Sequence, residues 1–249
     1  MITVAVQCHN FQHRLSWMLS SILNQLDPPD IAIDISCVAG NGSPTTDEII
    51  ELYSEHLDIT KTEYPLETLQ YRGLTRNGAM IRCNTEWLLF ADCDMVYHPE
   101  FFRRLSDTLA GIDEKHYASM MIAGRYSNDI DKGNALVAAE DYTKPIDNPW
   151  KRADARLNKI RRGCCGAGYF QLINMDHVDH GSYYIDGSLN EDYSWLNRFA
   201  KANSDHQFRR RIGRCYKLPR WFWNSQIHIN HDRDNGNGLR APKHLDDQR

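Results

Sequence analysis

Trp87-Leu88-Leu89-Phe90-Ala91-Asp92-Cys93-Asp94 decides how the rest of the chain is read. Its apolar residues run without alternation, the pattern of a strand buried on both faces in the middle of a parallel sheet. The run stops at two carboxylates separated by a single residue. In open α/β sheets, ligands bind beyond the carboxyl ends of such strands, where the connections leave toward opposite faces. Two acids at that place suit a hard divalent cation, since Mg²⁺ and Mn²⁺ prefer oxygen ligands. The plainer reading is an acidic strand-to-loop turn, because Asp is frequent in turns. The spacing alone leaves both open.

Upstream of this stretch, strands and helices alternate. Ile2 to Val6 reads as the first strand, ending at Gln7-Cys8-His9-Asn10. Leu15, Met18, Leu19, Ile22, Leu23 and Leu26 then recur with helical spacing. Asp27-Pro28-Pro29-Asp30 stops that helix, because proline cannot continue one. Ile31, Ile33, Ile35 and Cys37 alternate with period two, which predicts a second strand. Gly40-Asn41-Gly42-Ser43-Pro44 is a turn by composition. Thr45 with Glu48 forms a capping-box pattern ahead of a helix that buries Ile49, Ile50, Tyr53 and Leu57. A short strand over Ile59 to Thr62 and a polar helix over Arg72 to Asn84 lead into the organising strand.

Downstream, Pro99-Glu100 suits a first helical turn, with Phe102, Leu105, Leu109 and Ile112 on one face. Ser119 to Ala123 reads as a strand. The pattern weakens from Tyr126 to Arg162, where Asp154 to Ile160 is the one helical candidate. Cys164-Cys165-Gly166-Ala167-Gly168 permits close backbone approach ahead of the apolar run Tyr169 to Ile173. Ser188-Leu189-Asn190-Glu191 repeats the capping-box pattern before Trp195, Leu196 and Phe199. Gln226 to Asn230 predicts a last strand that ends at His231, followed by a polar tail. Alternation of this kind predicts an α/β fold with a mostly parallel central sheet and helices on both faces.

Composition bounds the function. At 249 residues, with 41% hydrophobic and 25% charged residues, the chain is long enough for one large α/β domain. A net charge of −4 argues against a protein whose main work is clamping nucleic acid. No apolar run approaches the roughly 20 residues needed to span a bilayer, and Ile2-Thr3-Val4-Ala5-Val6 is too short for a signal peptide core. The seven cysteines form no CxxC pair, and their number is odd. Several fall within predicted strands as small hydrophobes. The expected setting is reducing and cytoplasmic, with peripheral attachment at the inner membrane as a variant.

Taken together, these residues resemble the GT-A fold nucleotide-sugar glycosyltransferases, family 2 in particular, from about Ile2 to His231. Gln7-Cys8-His9-Asn10 stands where the family has a Pro-Thr-Tyr-Asn-type segment against the base. Gly40-Asn41-Gly42-Ser43 stands where it has an Asp-Asp-Gly-Ser-type turn, and Thr75-Arg76-Asn77 where it has Ala-Arg-Asn. Asp92-Cys93-Asp94 matches the metal motif, and Glu191-Asp192 with Arg198 matches a later Glu-Asp motif. The chain departs at Gln7 and Cys8, at the missing acidic pair in Gly40-Asn41, and at Lys217, where a Gln-x-x-Arg-Trp motif ending in Arg220-Trp221 would begin.

The resemblance implies a single GT-A (Rossmann-like) domain over 1–231, with a nucleotide-binding half (1–112) and a smaller acceptor-binding half (113–231), and a polar tail over 232–249. It implies a metal-dependent, inverting, non-processive transfer of a sugar from a nucleoside diphosphate to an acceptor hydroxyl. UDP-sugar is the first expectation for the donor, ahead of GDP- or dTDP-sugar, and Mn²⁺ or Mg²⁺ is expected as cofactor. The acceptor would be a glycan, a lipid-linked sugar or a small molecule. Asp94 is assigned the direct metal contact, and Asp92 the ribose hydroxyl or a metal-bound water. A C-terminal histidine completes many such sites, and His231 is favoured over His228 because the predicted strand ends there. Gln7, His9, Asn10 and Asn41 would meet the nucleotide, and Arg76 the donor phosphate or a ribose-contacting acid. Inversion needs a base to take the acceptor proton. Asp192, in a predicted first helical turn whose dipole favours the carboxylate, is the candidate. Glu191 is a second catalytic candidate, although a capping box alone accounts for it.

The basic run Arg209-Arg210-Arg211, with Arg214, Lys217 and Arg220, could meet a phosphate-bearing acceptor, an anionic membrane or nucleic acid, or be a solvated face. Rival readings are an enzyme glycosylating a modified nucleic-acid base, a catalytically silent nucleotide-sugar binder, and a zinc protein using Cys164, Cys165, His228 and His231. Adjacent cysteines lack the usual spacing of structural zinc sites, which weighs against the last.

Overall fold

The computed structural model describes residues 1–40, 44–111, 119–120, 125–126, 130–154, 159–160, 170–177, 221–222 and 225–229. The first half follows the alternation read above. Strand β1 (Ile2–Cys8) leads to helix α1 (Gln12–Leu23), β2 (Ile31–Cys37), α2 (Thr46–Ser54) and β3 (Asp58–Glu63). Helices α3 (Leu66–Leu69) and α4 (Arg72–Arg82) return the chain to β4 (Trp87–Asp92). The capping box at Thr45 is present in both directions, with Glu48 N–H donating to Thr45 Oγ1 at 3.1 Å. Leu26, expected on the buried face of α1, is 58% exposed. Helix α1 ends at Leu23, and the chain turns away through Asp27 at a positive φ of 47° ahead of the prolines.

The organising stretch becomes the hub of a six-stranded sheet ordered β3-β2-β1-β4-β9-β6. β3, β2, β1 and β4 are parallel. β9 (Phe170–Asn174) is antiparallel to β4, and β6 (Ser119–Met120) is antiparallel to β9. Leu88 and Leu89 are both fully shielded, which is why the run shows no alternation. After β3 the connection jumps back across β2 and β1 to β4. Consecutive connections therefore diverge between β1 and β4, where the register sets Gln7 beside Asp92. That is the switch point at which open α/β sheets bind ligands.

A second, four-stranded sheet, ordered β5-β10-β7-β8, was not foreseen. It joins β5 (Met95–Tyr97), β10 (Gln226–His228), β7 (Arg125–Tyr126) and β8 (Lys159–Ile160). The predicted helix over Asp154 to Ile160 fails at its end, where Lys159 and Ile160 form a strand, and 155–158 lie outside the described residues. The chain instead forms α6 (Ile130–Ala138) and α7 (Pro149–Asp154), following α5 (Phe101–Ala110), and then pairs Lys159 and Ile160 with β7. Two-residue strands held by long-range partners carry no periodicity of their own, so local pattern could not reveal them.

The second sheet splits the core in two. Met95 and Tyr97 pack with Phe101, Phe102 and Phe170 against the large sheet. Val96, Ile227 and Ile229 face the opposite way and cluster with Trp17, Leu136 and Ile146. Helix α1 lies between the two clusters and is buried almost all round, so its hydroxyls need internal partners. Tyr53 Oη donates to Ser16 O at 3.0 Å, Ser20 Oγ accepts from Ile146 N–H at 2.8 Å, and Ser21 Oγ accepts from Tyr97 N–H at 3.1 Å. These bonds fix α1 to α2, to the loop at Ile146 and to β5 of the second sheet. Asp34 on β2 takes both fork nitrogens of Arg82 on α4 at 2.8 Å each, which fixes α4 in the same way.

Candidate active site

The site grows out of the end of β4. Asp92 is that strand's last residue and is half-buried. The chain then reverses through Cys93 and Asp94 into β5, which carries Asp94 inward to 4% exposure. β10 runs antiparallel to β5, with His228 across from Met95. Ile229 N–H donates to Asp94 O at 2.9 Å and ties the end of β10 to the acidic turn. The result places His228 Nε2 2.9 Å from Asp94 Oδ2. Ligand atoms of Asp92, Asp94 and His228 all lie within 4.8 Å of one another.

This donor set fits a divalent cation of the Mn²⁺ or Mg²⁺ type. Two carboxylates and one imidazole match the preference of such ions for oxygen with some nitrogen. An octahedral ion with bonds of about 2.1 Å sets neighbouring ligands roughly 3 Å apart, which is the spacing of His228 Nε2 and Asp94 Oδ2. The negative field reaches the interior. Burial first, and then the charges of Asp92 and Asp94, push the Tyr97 phenol well above its ordinary range. Cys93, between the two acids, is a buried thiol; its contact with Cys8 and its burial raise its pKa. It packs as a small hydrophobe.

The remaining candidates divide. His9 and Asn10 lie just past the end of β1, with Asn10 at φ 57°, a left-handed conformation that asparagine tolerates. Burial lowers the His9 pKa and keeps its ring neutral. Gln7 spends its amide N–H on Arg72 O at 3.2 Å, clamping the start of α4 to β1. Arg76 is buried, with its guanidinium 5.4 Å from the centroid of the Phe90 ring. Asn41, Glu191, Asp192, Arg198 and His231 lie outside the described residues. So do Cys164 and Cys165 of the zinc reading. Of the two histidines weighed as cation ligands, His228 is brought to Asp94 at the end of β10, and nothing is described for His231.

Sequence reading missed Arg14. It stands in the first turn of α1, off the apolar face, and looks like a solvated position. In the fold, burial disfavours its charged form and the negative charge of Asp94 opposes that effect.

Comparison with known proteins agrees with this architecture. The family model described as glycosyl transferase family 2 matches residues 3–170. Among solved structures, TarS 1–349 of S. aureus superimposes with a TM-score of 0.53 at 15% identity, over 80% of this chain and 55% of that one. The same protein in complex with UDP-GlcNAc gives 0.52 at 16% identity, over 80% of this chain and 53% of that one. The mannosyltransferase PcManGT of Pyrobaculum calidifontis, in complex with GDP-Man and Mn²⁺, gives 0.57 at 11% identity, over 94% of this chain and 58% of that one. The chain thus spans little more than half the length of these structures. At such identities the likeness speaks for the fold. No curated protein sequence matches significantly.

Proposed function

The chain belongs to glycosyl transferase family 2, and from that premise we propose that it transfers a sugar from a nucleoside-diphosphate donor to an acceptor hydroxyl, in a metal-dependent, inverting and non-processive reaction. The observation that carries this reading is the convergence of Asp92, Asp94 and His228 at the switch point between β1 and β4. A divalent cation held there would neutralise the charge that develops on the diphosphate leaving group.

The chain's own groups supply the rest. Asp94 and His228 are held in place from the backbone outward, by the pairing of β5 with β10 and by the bond from Ile229 N–H to Asp94 O. This fixes their geometry before ligand arrives, and such preorganisation is what an electrostatic site requires. Asp92, two positions before Asp94 and in register with Gln7 of β1, reaches the donor's ribose or a cation-bound water. His9 and Asn10, just past the end of β1, would meet the base together with Asn41. Asp192 takes the acceptor's proton as the sugar carbon inverts, with Glu191 beside it. The donor is a UDP-sugar in first place, and the acceptor a glycan, a lipid-linked sugar or a small molecule. Among the described residues no helix is long and apolar enough to cross a membrane.

The test is release of nucleoside diphosphate from a panel of UDP-, GDP- and dTDP-sugars, with and without Mn²⁺. The expected result is Mn²⁺-dependent release from at least one donor, abolished in Asp94→Ala. Full activity in Asp94→Ala, or no binding and no turnover with any donor, would overturn the proposal.

A further inference from the structure

Two arginines of this fold are held in contrasting ways. Arg82 spends its planar fork on one carboxylate, Asp34, with two bonds of 2.8 Å and a third from Nη1 to Tyr64 Oη at 3.0 Å. That is the arrangement of an arginine whose work is structural. Arg14 is held differently. Its single hydrogen bond among the described residues runs from Nη2 to the neutral amide of Asn134, at 2.7 Å, and its guanidinium lies 5.3 Å from the Phe11 ring centroid. Its Nε is sealed from solvent with no acceptor among the described residues. It forms no ion pair there either, although Asp94 is close enough for its charge to act on Arg14.

The position follows from the topology. β1 ends beside Asp92, the chain turns at His9 and Asn10, and α1 starts at Gln12 with no side chain capping it and no acidic residue in its first turn. Arg14 therefore stands in the first turn of a helix that begins four residues after the strand end beside Asp92. Around it the neighbouring elements present His13 and Tyr142, whose rings are 4.4 Å apart, and Asn134 from α6. Burial lowers the affinity of the guanidinium for its proton, and the negative charge of Asp94 opposes that effect. A desolvated cation held by a neutral amide, under the charge of Asp94 yet not ion-paired among the described residues, is suited to an anionic ligand.

We propose that Arg14 binds the β-phosphate of the donor's diphosphate, opposite the cation held by Asp94 and His228. This rests on the functional reading above and adds a positive group that neither the metal motif nor the base-contacting segments supply. Arg14 meets the phosphate after it departs as well as before, so it helps hold the leaving group while the acceptor attacks.

The experiment measures affinity for UDP and GDP in Mn²⁺, and for the corresponding monophosphates, by calorimetry on wild type, Arg14→Gln, Arg14→Lys and Asn134→Ala. Arg14→Gln is expected to weaken binding of the preferred diphosphate by about tenfold or more, and to leave the monophosphate within about twofold. Arg14→Lys should recover part of the loss. Asn134→Ala, which frees the guanidinium from its anchor, should give a smaller loss in the same direction. Equal affinity of wild type and Arg14→Gln for the diphosphate overturns the proposal while leaving the transferase reading intact. Equal losses for di- and monophosphate overturn it too, because they indicate a structural role. Should Arg14→Gln fail to fold, unchanged diphosphate affinity in Asn134→Ala has the same force. Failure of the wild type to bind any diphosphate removes the functional reading and this proposal with it.

Discussion

His228 Nε2 and Asp94 Oδ2 face each other at 2.9 Å, although 134 positions separate them in sequence (228 − 94). The contact joins the carboxyl end of the central strand to a strand from the C-terminal part of the chain. It turns an acidic turn into a group of three side chains that could hold a metal ion. A turn acid would stay in water, but Asp94 is 4% exposed and His228 7% exposed. Burying a carboxylate is costly without a compensating partner. His228 is such a partner for Asp94, and with Asp92 the two form a group that could hold a metal ion.

His228→Ala is expected to weaken Mn²⁺ binding by at least about tenfold, since even outer partners of metal sites contribute that much. Titration of Mn²⁺ followed by electron paramagnetic resonance reads it directly. Affinity equal to wild type would reduce His228 to a packing residue.

Asp192→Asn keeps the shape of the side chain but removes its basicity. Donor affinity should stay at the wild-type level while turnover falls by about 10²- to 10⁴-fold, the usual contribution of a general base. Wild-type turnover would end the assignment, and a parallel loss of donor affinity would move Asp192 to the donor side.

His98 gives the fold a pH dependence. Its Nδ1 accepts Glu100 N–H at 3.1 Å, and its ring sits edge-on between Trp150 and Trp221. Burial lowers its pKa, with Arg104 acting in the same direction and Glu100 and Asp154 against. The folded state therefore binds its proton less readily than the unfolded chain, whose histidine titrates near ~6.5. The contribution is fully present above that value and is lost as pH falls toward the folded pKa. Thermal melts from pH 7.5 to 5 should show falling stability, with a shallower slope in His98→Gln. An unchanged slope in the variant would contradict this.

Asp34→Ala leaves Arg82 without its carboxylate. Arg82 is 28% exposed at the side chain and Asp34 only 6%, so the loss should sit near the lower end for a broken buried pair, about 3 kcal/mol. Urea melts of the single variant and of Asp34→Leu with Arg82→Met decide whether the pair fixes α4. The double replacement should cost less than the single one, because it leaves no stranded charge.

Much of the fold was legible because it is local. The uninterrupted run at Trp87 to Ala91, the period-two pattern at Ile31 to Cys37 and the Thr45–Glu48 box each carry their own signal. The unreadable parts depend on distant partners. β5 is three residues long and exists because β10 pairs with it, and Lys159–Ile160 is a strand only beside Arg125–Tyr126. The site shows the same division. Asp92 and Asp94 announced themselves by following an apolar strand. The approach of His228 to Asp94 follows from the register of β10 against β5, which sequence does not encode locally. Arg14 gave no signal, since an arginine off the apolar face of a helix is ordinary; its bond to Asn134 and the charge of Asp94 acting on it come from distant parts of the chain.

The central claim is that Asp92, Asp94 and His228 hold a cation that in turn holds a donor's diphosphate. The most direct measurement is calorimetric titration of nucleoside diphosphates into metal-stripped protein, before and after addition of Mn²⁺, in wild type and Asp94→Asn. The account predicts binding of at least one diphosphate in wild type with Mn²⁺, strongly weakened without the ion and weakened equally in Asp94→Asn with it. Diphosphate binding of the same strength with and without Mn²⁺, and untouched by Asp94→Asn, would contradict it.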